Sequence, residues 1–211
     1  MIPAFVAALI GVVAAQASPG PNMMAVAGAA LKQGRSTALL VVSGIATGSL
    51  VWAALTAFGL GELLRRFPQL LAVLMFLGAA YLLWLAIRSL LTAWRGDFAG
   101  PRANADHLTP LAAWRRGVVV VLTNPKGALM WSAIAAYLFG AGLPMLSVLA
   151  FGPLVAISAT LVYGAYGLLF SSRIAGNFYR RFARAVEFAF GAAFGALGAV
   201  LLATGIRSLR F

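Results

Sequence analysis

Six apolar stretches follow one another along the 211-residue chain: Ala4 to Leu31, Thr37 to Leu60, Leu70 to Leu91, Gly117 to Phe139, Leu146 to Phe170 and Val186 to Ile206. A helix rises about 1.5 Å per residue and a hydrocarbon core is about 30 Å thick, so a span needs roughly 20 apolar residues. Each stretch is long enough for one. Inside hydrocarbon every backbone N–H and C=O needs a protein partner, and a helix supplies it within a single segment. The expectation is therefore an all-α, polytopic membrane protein of six transmembrane helices. Only 9% of the residues are charged, against about a quarter in soluble domains, and the connections are too short for a sizeable extramembrane domain. Any chemistry falls to residues within or at the edges of the spans.

The 16 Lys and Arg residues outnumber the 4 acids and give a formal net charge of +12. In a soluble chain this would point to nucleic acid. Here Arg65 with Arg66, Arg115 with Arg116, and the Arg180, Arg181, Arg184 group flank apolar runs, so they read as membrane-edge charges and nucleic-acid binding is not expected. Assigning the connections alternately to two sides puts eleven basic residues on one side and four on the other. The richer side is expected in the cytoplasm, with both termini outside. The longest connection, Thr92 to Arg116, carries Asp97, Asp106 and His107. It suggests three parts: a first three-helix repeat at 1–93, a cytoplasmic connecting loop at 94–113 and a second three-helix repeat at 114–211.

Ala15-Gln16-Ala17 has the small-x-small form of a signal-peptide cleavage site. No Lys or Arg precedes the apolar stretch, however, and apolar character continues to Leu31, so a retained first helix is the better reading. The absence of cysteine excludes disulfides, thiolate metal sites and thiol redox chemistry. Gly44 with Gly48 and Gly191 with Gly195 have the small-xxx-small spacing that lets helices approach closely; this suits packing within one chain first, and a dimer seam second.

Two segments break the membrane pattern. Ser18-Pro19-Gly20-Pro21-Asn22 sets two prolines around a glycine, which removes two backbone donors and leaves carbonyls without helical partners. Thr123-Asn124-Pro125-Lys126-Gly127 places an amide, a helix breaker and an ammonium inside an apolar run. Irregular backbone at membrane depth is tolerated only against protein or a water-filled cavity. Asn22 lies ten positions from Lys32 and Pro125 nine from Arg116, about 14 Å of helix in each case, so both breaks are expected near the midplane. One occurs in each half and the two run in opposite directions. This is the pattern of two inverted three-helix repeats with a binding site at their interface.

Lys126 is read as the binder of an anionic group, most simply a substrate carboxylate, because a lysine near the helix centre costs about 2.5 to 3.5 kcal/mol on insertion scales. Snorkelling or a structural bond to freed carbonyls are its competing explanations. Asn22 and Asn124 can each donate and accept, and each can also cap a half-helix. Gln16, Ser18 and Thr123 adjoin the breaks. Thr47, Trp52, Tyr81, Trp131, Ser158, Tyr163 and Tyr166 could line a pathway, although helix-packing hydrogen bonds or interfacial placement explain each of them as well. Glu62, Asp97, Asp106 and Glu187 fall at span ends or in loops. No mid-membrane carboxylate relay is visible, which leaves Lys126, or Glu187 reached from the cytoplasmic edge, as the groups to carry a proton. The single histidine, His107, lies in the long loop, no metal-ligand set is present, and no histidine base is available to a serine nucleophile. No enzyme, metal or cofactor is expected.

These residues together resemble the LysE/RhtB family of amino-acid exporters. The matching stretches are SPGPN at Ser18 to Asn22, KQGR at Lys32 to Arg35, LGAAYLLWLAIRSL at Leu77 to Leu90 and RRGVVVVLTNPKGALMW at Arg115 to Trp131, with YGLLFSSR and FGAAFGALGAVLLATG in the last two helices. The resemblance implies a multi-pass exporter of amino acids or close derivatives in the bacterial cytoplasmic (inner) membrane, driven by the proton motive force, with membrane lipid around it and a homodimer among the arrangements it allows. By the match of motifs, Pro19, Gly20, Pro21, Asn22, Asn124, Pro125 and Lys126 are implied as the pathway or binding elements. The chain departs from the family where relatives often show a Pro-Gln-Phe type sequence, reading Ala136-Tyr137-Leu138-Phe139 instead. Efflux of another small solute or of a metal cation, and a non-transporting membrane assembly protein, are the alternative readings; cations need thiolate, imidazole or oxygen anions, and the spans show no cysteine and no mid-membrane carboxylate.

Overall fold

The structure is a computed structural model that describes residues 2–60, 66–67, 69–96, 107–172 and 175–208. Among these residues the helices are α1 (Ile2–Ala17), α2 (Pro21–Gln33), α3 (Arg35–Ala54, continued by a π-helical segment Leu55–Leu60), α4 (Leu70–Arg95), α5 (Pro110–Thr123), α6 (Pro125–Gly140), α7 (Met145–Phe170) and α8 (Ala175–Ser208). Four stretches are long and apolar enough to cross a membrane, and the bent pairs α1–α2 and α5–α6 would raise the number to six.

The bends lie where the proline-containing segments foretold them. The chain turns by 49° between α1 and α2 and by 58° between α5 and α6. Both α2 and α6 open on a proline, a position where the missing N–H has no helical partner to lose. Gly20, with φ 176°, is simply extended. Asn124 caps α6 by accepting from the backbone N–H of Lys126 at 3.0 Å, which satisfies one of the donors that a helix start leaves orphaned.

Two ends differ from expectation. The connection expected over Thr92 to Arg116 is shorter, since α4 runs to Arg95, where Gly96 closes it at φ 76°, and α5 starts at Pro110. The side chain of Thr109 caps that start by accepting from the N–H of Ala112. A Thr-Pro pair is a helix-start signal in its own right. The last helix, expected from Val186, begins at Ala175, so its basic head is helical although the apolar stretch runs only from Glu187 to Arg207.

Glycine sets the closest helix contacts. A Cβ on Gly44 would lie 2.0 Å from the carbonyl oxygen of Trp114, and one on Gly117 would lie 2.0 Å from that of Val41. Backbones of α3 and α5 therefore touch. Gly191 is similarly filled by Leu90 of α4. The small-residue faces are thus occupied by contacts within one chain. Two buried clusters flank the bends. One joins α2 and α5 to α3 and α7 through Met23, Val41, Val121 and Tyr163; the other joins α1 and α6 to the end of α3 and the start of α7 through Val12, Trp131 and Phe151. The α4 and α8 pair packs on α1 through Phe194 and Ala15, and on α6 through Leu201 and Ala133.

Candidate functional site

The prolines that bend the spans orphan specific carbonyls, and side chains from other positions restore a donor to each. Pro19 denies a helical partner to the carbonyl of Ala15, which accepts from Ser18 Oγ at 3.3 Å. Pro21 does the same to Ala17, whose carbonyl accepts from the hydroxyl of Tyr166. Pro125 does it to Val121, whose carbonyl accepts from Trp52 Nε1 at 3.1 Å. A buried carbonyl without a partner costs about 1 to 3 kcal/mol, so these contacts hold the bends open as built features. Trp52 and Tyr166 are therefore caps for broken helices.

Across the gap between the bends the polar side chains meet. Asn124 Nδ2 donates to Asn22 Oδ1 at 3.1 Å, and Asn22 Nδ2 donates to the hydroxyl of Tyr163 at 3.3 Å. The ammonium of Lys126 donates to the carbonyl of Ser18 at 3.2 Å and also to Ser18 Oγ. A Cβ on Gly20 would rest in ordinary contact with that ammonium, 3.6 Å from Lys126 Nζ. Asn22, Asn124, Ser18 and Gln16 are all buried. Gln16 Nε2 donates to the carbonyl of Val155 at 3.1 Å, while its Oε1 is the one buried side-chain polar atom without a partner among the described residues.

These groups line a polar cavity bordered by Gln16, Asn22, Ser49, Asn124, Lys126 and Tyr163. A second cavity adjoins it and is walled mainly by aliphatic side chains of α1, α4, α6 and α8. The two share Ala15, Lys126 and Met130.

Of the residues singled out from the sequence, Gln16, Ser18, Gly20, Asn22, Asn124 and Lys126 come together. Pro19 is partly buried and Pro21 exposed, their part being to bend the chain. Pro125 opens α6. Thr123 does not join the site: it is exposed, and its hydroxyl donates to the carbonyl of Val119 at 2.7 Å. Each helical step turns the side chain by about 100°, so neighbours of a site residue face away from it. Thr47 accepts from Trp114 Nε1 at 3.4 Å and ties α3 to α5; Ser158 donates back to the carbonyl of Val155 at 3.0 Å. Trp131 is buried core, whereas Tyr81 borders the second cavity.

Of the four acids, all expected at span ends or in loops, Glu187 does head the apolar stretch Glu187–Arg207. Glu187 is buried, at 6% exposure, against α4. It hydrogen-bonds Ser89 and stands within electrostatic range of Lys126 and Arg88. Its signal in the sequence is that it is a lone acid at the head of an apolar run, and such residues are rarely left without a polar neighbour. Glu62, Asp97 and Asp106 lie outside the described residues.

Comparison with known proteins places this site in context. The family model described as LysE type translocator matches residues 13–205. Among similar proteins, an uncharacterized membrane protein of Pseudomonas aeruginosa is 29% identical over 94% of this chain and 91% of its own length. The chemotactic transduction protein ChpE of the same organism is 34% identical over 66% of this chain and 67% of its own. The threonine efflux protein of Salmonella typhi is 25% identical over 94% and 96%. No solved structure matches the chain significantly.

Proposed function

The chain belongs to the LysE type translocator family, and from that premise we propose that it is a secondary transporter exporting amino acids or close derivatives across the cytoplasmic membrane of a bacterium by alternating access, driven by the proton motive force. The observation that carries this reading is the polar cavity at the meeting of the two bends, with Lys126 in its wall. An ammonium offers three N–H donors, and Ser18 takes two of those of Lys126. A substrate carboxylate would take the third or displace Ser18. The resemblance to threonine efflux proteins supports amino acids as the cargo.

In this reading the halves 1–93 and 114–211 are inverted repeats joined by a cytoplasmic connection at 94–113, with both termini outside. The recurrence of a bent span followed by two straight ones supports that arrangement. Each bent span divides its packing: α2 and α5 belong to one buried cluster, α1 and α6 to the other. A bend whose arms are held by different neighbours is suited to let one side open while the other stays closed.

The test is efflux from cells preloaded with a labelled amino-acid panel, comparing wild type and Lys126→Ala at equal membrane abundance, with and without an uncoupler. Export of one or a few amino acids, lost in the variant and on uncoupling, is the expected result. Normal export by Lys126→Ala would remove the lysine from the mechanism, and no export of any amino acid by the wild type would overturn the reading.

A further inference from the structure

The second cavity carries a statement about which amino acid. It shares Ala15, Lys126 and Met130 of its wall with the polar one, so a molecule whose carboxylate sits on Lys126 projects its remaining atoms toward one cavity or the other.

Beyond the shared wall the surroundings change. Val12 and Ala8 of α1, Leu82 and Leu85 of α4, Ile134 of α6 and Leu201 of α8 enclose the second cavity. Apart from Lys126, the polar atoms in that wall are the hydroxyls of Tyr81 and Tyr137. A cationic or amide side chain entering it would give up its hydration with few hydrogen bonds in return, at a cost of several kcal/mol. An aliphatic or aromatic side chain gains about 25 cal/mol for each Å² it removes from water.

Resting on the exporter reading above, we propose that the substrate is an amino acid with an apolar side chain: its carboxylate on Lys126 and its hydrocarbon side chain in the cavity between α1, α4, α6 and α8. The site is thereby set apart from one built for a hydroxylated or basic side chain. Gly11, which borders the apolar cavity, marks where added bulk would shorten the side chain accepted.

The experiment is competition against labelled leucine, both for export from preloaded cells and for binding to the purified protein, by phenylalanine, alanine, threonine and lysine. Leucine and phenylalanine should outcompete threonine and lysine by at least about tenfold, the discrimination an apolar pocket can provide. Gly11→Leu should depress leucine relative to alanine, and Ile134→Ala should shift preference toward phenylalanine, so the two variants move specificity in opposite directions. Threonine or lysine exported in preference to leucine would overturn the proposal and leave the exporter reading standing. Export of no amino acid at all would overturn both.

Discussion

Asn124 donates from its Nδ2 to Oδ1 of Asn22 across 3.1 Å, and this single hydrogen bond ties two chain breaks that lie 102 positions apart. Each amide has a second task. Asn22 holds Tyr163 of α7, and Asn124 caps α6 through the N–H of Lys126. The pair therefore couples the start of the lysine-bearing half-helix to the start of α2. A buried amide that loses its partner is left with an unsatisfied polar group, which costs more than the hydrogen bond itself contributed.

Removing either amide should weaken the same junction. Asn22→Ala and Asn124→Ala are each expected to lower export strongly, and the double variant to be little worse than the more damaging single one, because residues in one network do not contribute additively. Asn124→Ala should also lose about 1 kcal/mol of stability from the missing cap. Export rates at matched membrane abundance, together with thermal denaturation in detergent, check both parts. Strictly multiplicative losses in export would show that the amides act separately.

Packing at the glycine contacts makes a stability prediction independent of transport. A methyl on Gly117 would meet the carbonyl of Val41 at 2.0 Å and the backbone N of Ile45 at 2.8 Å, whereas one on Gly59 would meet nothing within 4 Å. Backbone cannot step aside as a flexible side chain can. Gly117→Ala should destabilise by about 1 to 3 kcal/mol or more and reduce membrane abundance, with Gly59→Ala close to wild type. Equal abundance and equal melting temperatures for the two variants would mean that α3 and α5 are not in backbone contact.

Much of this arrangement is legible in residue types. Runs of apolar residues longer than 20 announce spans, and Pro19, Pro21 and Pro125 mark the breaks because proline has no N–H to offer. Similar spacing, ten positions from Lys32 and nine from Arg116, places Asn22 and Pro125 near one depth, yet depth does not fix rotation about a helix. Thr123 stands one residue from Asn124 and points away from it. Tyr163 stood among the pathway candidates but could not be set above the others, because α7 is apolar nearly all round and its sequence has no polar stripe to show which face turns inward. The unpartnered oxygen of Gln16 depends on where the carbonyl of Val155 falls, 139 positions away. The burial of Glu187 against Ser89, at the head of its apolar stretch, is likewise set by how α8 lies along α4.

The geometry around Lys126 separates a requirement for charge from a requirement for shape. Its ammonium sits between the carbonyl and hydroxyl of Ser18, close to where Gly20 has no side chain. A guanidinium keeps the charge but spreads it over a planar fork that is longer and rigid. Lys126→Arg should therefore reach the membrane at normal abundance and lose at least about tenfold in export, near 1.4 kcal/mol of discrimination. Gly20→Ala is the companion variant, since the backbone there is extended and the added methyl would rest 3.6 Å from Nζ. Ordinary contact at that distance should leave export within about twofold of wild type. If Lys126→Arg exported as well as the native chain, a positive charge anywhere in the polar cavity would be enough, and the fit of the ammonium against Ser18 would have no part in binding.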